Sequence, residues 1–407
     1  MTYFPTPDTR WSGTNLEHAA NHNQRTTLHA IRVHGELTRV ELATITGLTA
    51  PTISNITRRL LDEGLILESK ARRGGRGQPA TPLKIRADAR HSVGLNIDRD
   101  HITLAVLNFN GQVVARATRD VEFALPDQVR SFYGDTIVRL LADAGVDPTS
   151  LIGIGVAVPD DLGVVDLEGR PAAYAQWSET DMTALLAHPF TLPVFVENDA
   201  AAAALGEMQF GLGQRYRSFF YILISSGLGG SLVIDGALFR GSNGRSGELG
   251  FMRDAVVGGR DTIQSYVSLS GLGRMLSAGR LEIDDVVGRA VPTAAAAPIV
   301  NAWIDGAAPR LEQPIEAVNC LINPDAILLG GRLPPAVMDQ LADVSYRRMI
   351  AQRLDAPVIC PILRAAFSTD APAVGAAILP LNHFFMPNSG GSWKKVAAAP
   401  SQPQPAT

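Results

Sequence analysis

Apolar residues recur at helical spacing twice between Thr38 and Ile66, with a break at Gly47. Thr38 followed by Glu41 has the pattern of a capping box, which predicts a first helix whose apolar face is Leu42, Ile45 and Leu48. A second helix is predicted to open at Thr49 with Pro51 in its first turn, where a missing N–H costs nothing. Ile53, Ile56, Leu60 and Leu61 form its expected buried stripe, and Thr52, Ser54, Asn55 and Arg58 its polar face. A helix that enters the major groove needs such a face for phosphates and base edges. A small surface hairpin of helices would carry the same pattern.

The residues that follow favour the DNA-reading alternative. Leu65–Leu67 and Leu83–Ile85 are strand-like, and between them runs the Gly-rich basic stretch from Lys70 to Pro79. Two strands joined by such a loop make the wing of a winged helix, and Arg72, Arg73 and Arg76 would enter a narrow minor groove. From Arg58 to Arg86 there are eight Lys/Arg against three Asp/Glu. The candidate DNA contacts are therefore Thr38, Thr49, Thr52, Ser54, Asn55, Arg58, Arg72, Arg73 and Arg76.

Beyond residue 90 the pattern changes to strands alternating with helices. Val93, Leu95 and Ile97 alternate, then Ile102, Leu104 and Val106, then Ile152 to Val158, with a short run at Pro193–Val196. The outline repeats with Phe219–Ile224, Leu232–Ile234 and Ala326–Leu329. Strands alternating with helices predict an α/β fold, and two comparable halves predict two lobes with a ligand cleft between them.

Charge sharpens this division. The chain of 407 residues has a formal net charge of −4, but the first 90 residues hold 13 basic and 8 acidic groups and the rest 23 and 32. A basic reader attached to an acidic body is the expected organisation. No apolar run approaches the roughly 18 residues needed to cross a bilayer, and the N-terminal segment has no secretory pattern. Only Cys320 and Cys360 occur, which indicates neither a disulfide framework nor a cysteine-rich zinc site. A cytoplasmic protein is expected, without membrane association. Residues 1–21 and the Ser/Pro/Gln/Ala-rich tail 387–407 are expected to be flexible.

Three segments are candidates to line the cleft. Ser225–Gly230 follows an apolar strand, and its glycines either admit a phosphate or sugar or form a tight turn. Asn323–Gly331 either floors a nucleotide site or turns a corner. Val196–Ala200 delivers Asn198 and Asp199 at a strand end; Asp199 is placed to act as general base toward a hydroxyl or to cap the alanine-rich helix that follows.

Taken in order, the winged helix, Val196–Ala201, Ser226–Gly230, Gly247–Gly250, Asn323–Gly331, Ser368–Ala371 and Gly375–Ala377 resemble the ROK family of repressors and sugar kinases over residues 22–385. The resemblance implies an actin-like, hexokinase-type two-lobed fold, a sugar or sugar-derivative ligand, and self-association as a homodimer or homotetramer. It divides the chain into a winged helix-turn-helix at 22–90, lobe I at 91–200 with a returning helix at 368–386, and lobe II at 201–367. It also implies Asn198, Asp199 and Glu248 as ligand-binding residues, with Gln264 standing where the family places a sugar-contacting glutamate and Phe251 a further ligand-binding candidate beside the altered end of the pocket.

The departures from the family pattern bear on activity. The kinase phosphate loop, of Asp-x-Gly-Gly-Thr type, is matched by Gly94–His101, with Asn96 for the aspartate and Asp98 and Arg99 for the glycines. Phe251 stands where a zinc-binding histidine belongs, and Met252–Thr262 holds no cysteine. Phe251 either stacks on a sugar face or, as the favoured reading, fills the space that zinc leaves. The expectation is a sugar-responsive transcription regulator, a repressor that binds operator DNA, with no ATP and no zinc. A sugar kinase with Asp199 as its base is the alternative.

Overall fold

The computed structural model describes residues 16–70, 81–160, 162–164, 170–351, 359–367 and 370–387. These form two compact units that divide between Ala89 and Arg90, with the short stretch from Asn382 to Pro387 grouped with the first unit.

In the first unit α1 (Leu16–His34), β1 (Glu36–Leu37), α2 (Arg39–Thr46), α3 (Ala50–Asp62), β2 (Ile66–Glu68) and β3 (Leu83–Ile85) follow one another. Thr38 accepts the Glu41 N–H, and the Glu41 carboxylate accepts the Thr38 N–H at 2.7 Å, which completes the capping box. Gly47 ends α2 in the left-handed region at φ 70°, where a side chain would be strained. Thr49 caps α3. Leu28, Ile31, Leu42, Ile53 and Leu60 close the core of this unit.

Two details differ from the sequence pattern. Ile45 is 46% exposed, because α2 turns the Leu42–Thr46 side inward and the i+3 position outward. On α3 the stripe runs Ile53, Thr57, Leu60, with Ile56 and Leu61 only half-buried. The Thr57 hydroxyl donates to the Ile53 carbonyl at 2.8 Å and receives Arg39 Nε at 3.2 Å, so a polar residue sits in the core satisfied. The strands pair in the order β1-β3-β2, with Leu37 opposite Leu83 and Ile66 opposite Ile85. Helix α1 begins at Leu16, inside the stretch 1–21 expected to be flexible. Arg72, Arg73 and Arg76 lie outside the described residues, as does all of the tail beyond Pro387.

The second unit carries one sheet design twice. Lobe I has β4 (His91–Ile97), β5 (His101–Asn108), β6 (Val113–Asp120), β7 (Leu151–Val158) and β8 (Val194–Asn198), in the order β6-β5-β4-β7-β8. Lobe II has β9 (Phe219–Ile224), β10 (Leu228–Ile234), β11 (Ala237–Phe239), β12 (Ala326–Gly331) and β13 (Ile362–Arg364), in the order β11-β10-β9-β12-β13. In each, three strands form an antiparallel meander and two more join in parallel. The parallel strands need helical crossovers, which bury them on both faces. In sequence order the helices are α4 (Pro126–Asp143), the single turn α5 (Met182–Leu185), α6 (Asp199–Phe210), α7 (Leu269–Ala278), α8 (Ala297–Leu321), α9 (Pro335–Ala351) and α10 (Ala371–Phe385). Ala373, Val374, Ala377 and Ile378 of α10 pack on Ala105 and Leu107 of β5, so α10 returns to lobe I. Lobe II closes around Trp303 of α8, whose indole N–H donates to the Tyr266 carbonyl at 3.0 Å.

Candidate functional site

Asn198 ends β8 and Asp199 begins α6, so the strand end presents an amide and a carboxylate side by side. Asn198, not Asp199, is the cap: its Oδ1 accepts the Ala201 N–H at 3.0 Å, and its Nδ2 donates to Asp160 Oδ2 at 3.1 Å. Asp199 is 7% exposed and its Oδ1 accepts the Ala200 N–H at 2.7 Å. Burial, and then the nearby Asp98 carboxylate, push its pKa up to about 7.

Asn198, Asp199, Glu248, Phe251 and Gln264 all line one cavity of about 70 Å3, together with Asp98, Arg99 and Asp160. Glu248 comes from the turn before a short 3-10 helix and accepts Arg245 Nε at 3.0 Å. Phe251 does not fill a core void; it is 51% exposed, with its ring at the cavity wall. Gly229 of β10 faces Asp199 and Ala200: a Cβ there would lie 3.1 Å from the Ala200 side chain, so this glycine serves the approach of α6. Asp160 was not singled out in the sequence. Its signal is weak but present, an acidic residue just beyond β7, where the carboxyl ends of parallel strands gather ligands.

A second cavity of about 1110 Å3 adjoins the first and shares Arg99, Gly227 and Gln264 with it. Its walls come from the β4–β5 turn, the β9–β10 turn and the start of α7. The β4–β5 turn is crowded. Asp98 accepts the Arg99 N–H at 2.7 Å, and His101 Nδ1 stands 2.6 Å from Asp100 Oδ1. Arg332, just past β12, reaches Asp100 at 3.3 Å and Asp120 at 2.9 Å, and so ties lobe II to lobe I. Burial alone would raise the Asp100 pKa, but His101 and Arg332 reverse this and hold it below the usual carboxylate range. The Arg99 guanidinium forms no ion pair among the described residues.

The segment Asn323–Gly331 leads into β12 and forms it. Asp325 accepts the Ser218 N–H at 2.9 Å and its own N–H returns to the Ser218 carbonyl at 2.7 Å, pinning the start of β12 to β9.

In the first unit, Asn55 and Arg58 are exposed on α3 and Ser54 is half-buried. Arg58 forms no ion pair among the described residues, whereas its neighbour Arg59 is held by Glu63 at 2.8 Å. The Thr49 and Thr52 hydroxyls lie 2.9 Å apart, and that of Thr38 is used by its cap.

This pairing of a capped helix-turn-helix with a doubled α/β sheet agrees with comparison to known proteins. Residues 92–383 match the ROK family, and residues 21–77 match the MarR family. The chain belongs to the ROK family. It is 26% identical over 381 residues to the xylose repressor of Bacillus subtilis, covering 89% of this chain and 95% of that one. It is 23% identical over 348 residues to the DNA-binding transcriptional dual regulator NagC of Escherichia coli, covering 79% and 83%. Among solved structures, a ROK family transcriptional regulator described as a homolog of the E. coli MLC protein superposes with a TM-score of 0.65 at 23% identity, over 90% of this chain and 97% of that one. A ROK family glucokinase from Streptomyces griseus superposes at 0.54 with 22% identity, over 71% and 98%. These two structures share the fold of the present chain.

The loop where the ROK pattern places zinc has a different organisation. Residues 249–264 contain no cysteine or histidine, so the donor set does not fit zinc. Instead Asp254, 3% exposed, accepts the Val256 N–H at 2.9 Å and Arg310 Nε at 2.7 Å. The Arg310 guanidinium lies 3.9 Å from the centre of the Tyr266 ring. No helix among the described residues is long and apolar enough to cross a membrane.

Proposed function

We propose that this chain is a sugar-responsive transcription regulator, a repressor whose winged helix-turn-helix binds operator DNA and whose ROK unit binds a sugar without phosphorylating it. The observation that carries this reading is the covalent union of an exposed Arg58, without an ion pair among the described residues, on a capped recognition helix with a cavity lined by Asn198 and Asp199. The names of the xylose repressor and NagC among its relatives support it.

In this reading α3 lies in the major groove, and Ser54, Asn55 and Arg58 touch bases or phosphates. A homodimer or homotetramer places two such helices on an inverted repeat. The sugar hydroxyls donate to Asp199 and Asp160, Asn198 fixes the orientation, and Phe251 offers a face for stacking. Sugar binding lowers DNA affinity only if it prefers one arrangement of the lobes. Asp98 and Asp100 repel a triphosphate, and the ion pairs of the β4–β5 turn crowd the place where its phosphates would sit, so ATP takes no part.

The test is a genome-wide map of bound fragments, followed by operator binding with and without a sugar panel. A shared palindrome, released by one sugar, is the expected outcome. ATP turnover with any hexose would instead revive the kinase reading with Asp199 as base.

A further inference from the structure

The β4–β5 turn gathers an imidazole and two carboxylates that the sugar-binding reading does not use. We propose that Asp98, Asp100 and His101 form a site for one divalent first-row cation, a place distinct from the zinc loop of the ROK pattern. His101 Nδ1 lies 2.6 Å from Asp100 Oδ1 and 3.9 Å from Asp98 Oδ2, and one ligand atom from each residue falls within 4.8 Å of the others. Donor atoms around a tetrahedral zinc with bonds of about 2.1 Å stand roughly 3.4 Å apart, a spacing that these distances bracket. Small side-chain rotations close the site.

One buried atom lacks a partner here, Asn96 Oδ1. Asp98 is 4% exposed; its Oδ1 takes the Arg99 N–H, and its Oδ2, directed toward His101, accepts no hydrogen bond among the described residues. Asn96, 3% exposed, has its Nδ2 3.1 Å from His101 Nε2 while its Oδ1 is buried without a partner. An amide turned by 180° lets Oδ1 accept the Nε2–H. That hydrogen bond pairs Oδ1, fixes the tautomer, and aims the Nδ1 lone pair at the carboxylates, as metal-ligating histidines do.

Without metal, a proton on Nδ1 fills the line to Asp100. Metal entry displaces that proton to solvent, and Arg332 stays on the other oxygen of Asp100. One nitrogen and two carboxylate oxygens suit Zn2+ or Mn2+ rather than a soft ion.

The full chain, stripped with chelator, is titrated with ZnCl2 and MnCl2 by calorimetry in two buffers of different ionisation heat. One equivalent per chain is expected, with proton release. Asp98→Asn and His101→Gln should each weaken binding by more than about 100-fold, and Asn96→Ala, which touches no metal, by about 10- to 100-fold. Co2+ loaded in place of zinc should show visible absorption that His101→Gln abolishes. Circular dichroism checks each variant; if one does not fold, the other decides. No stoichiometric uptake, or uptake unchanged in the folded variants, overturns the site.

Discussion

Lobe I and lobe II carry the same five-stranded order, yet their first hairpin turns have opposite chemistry. In lobe I the β4–β5 turn is Asp98-Arg99-Asp100, full of charge and tied to His101 and Arg332. In lobe II the β9–β10 turn is Ser225-Ser226-Gly227, with little beyond backbone to offer. Gly227 faces Arg99 and Gln264 where the two cavities meet. Duplicated topology fixes where turns meet, and side chains decide what can enter between them.

The sharpest break in this comparison lies in lobe II, where an ion pair organises the loop after Glu248. Asp254 is buried and Arg310 nearly so, and Arg310→Ala strands the Asp254 charge and should cost about 3–5 kcal/mol in chemical denaturation. Arg310→Lys should recover only part of this, because lysine cannot reproduce the stacked, planar contact with Tyr266. A loss below 1 kcal/mol would show that the loop stands without the pair.

On the lobe I side, Asp199 is the buried group whose charge state the cavity controls. Its folded pKa of about 7 lies above the ordinary 3.8, so the folded state binds more protons and stability falls as pH rises from about 4 to 7, then levels off. Asp199→Asn should flatten this descent and stabilise the free protein at pH 8 by about 2–4 kcal/mol in thermal melts. The same variant should lose sugar binding, and wild-type affinity should weaken below pH 7 as the carboxylate takes up its proton. An unchanged pH profile in the variant would rule out Asp199 as the titrating group.

In the first unit, Arg58→Ala should cost about 1–3 kcal/mol of operator affinity and relax one base preference if Arg58 meets a guanine edge. If it meets phosphate, binding should weaken evenly and the salt slope should shrink. Neither change would remove Arg58 from the interface.

The smallest effect is expected where the lobes are joined. Arg332→Gln removes contacts to Asp100 and to the well-exposed Asp120, and should cost about 1 kcal/mol or less. A larger loss, together with a more open shape by small-angle scattering, would show that Arg332 holds the lobes closed.

Much of the fold was legible along the chain. Thr38, Glu41, Gly47 and Thr49 place α2 and α3 because caps and left-handed turns are local chemistry. The inward direction of Ile45 was misjudged for the reason that an eight-residue helix has no long stripe to average over. Asn198 and Asp199 stood out as neighbours, but their roles as cap and free carboxylate depend on which side chain turns back to Ala201. Phe251 could not be placed from its type, since an aromatic suits a core and a cavity wall equally.

The sequence by itself determined the basic head, the acidic body, the two helices of the reader and the doubled run of strands, because periodicity, capping and charge act over a few residues. Only the tertiary structure decided that Asp160 joins Asn198, that Arg310 reaches back to Asp254, and that Arg332 meets Asp100. These partners stand 38, 56 and 232 positions apart, and nothing local to either end encodes the other. The first pair meets at the strand ends of lobe I, the second where α8 packs beside its own lobe's loop, and the third where the two sheets bring their turns together.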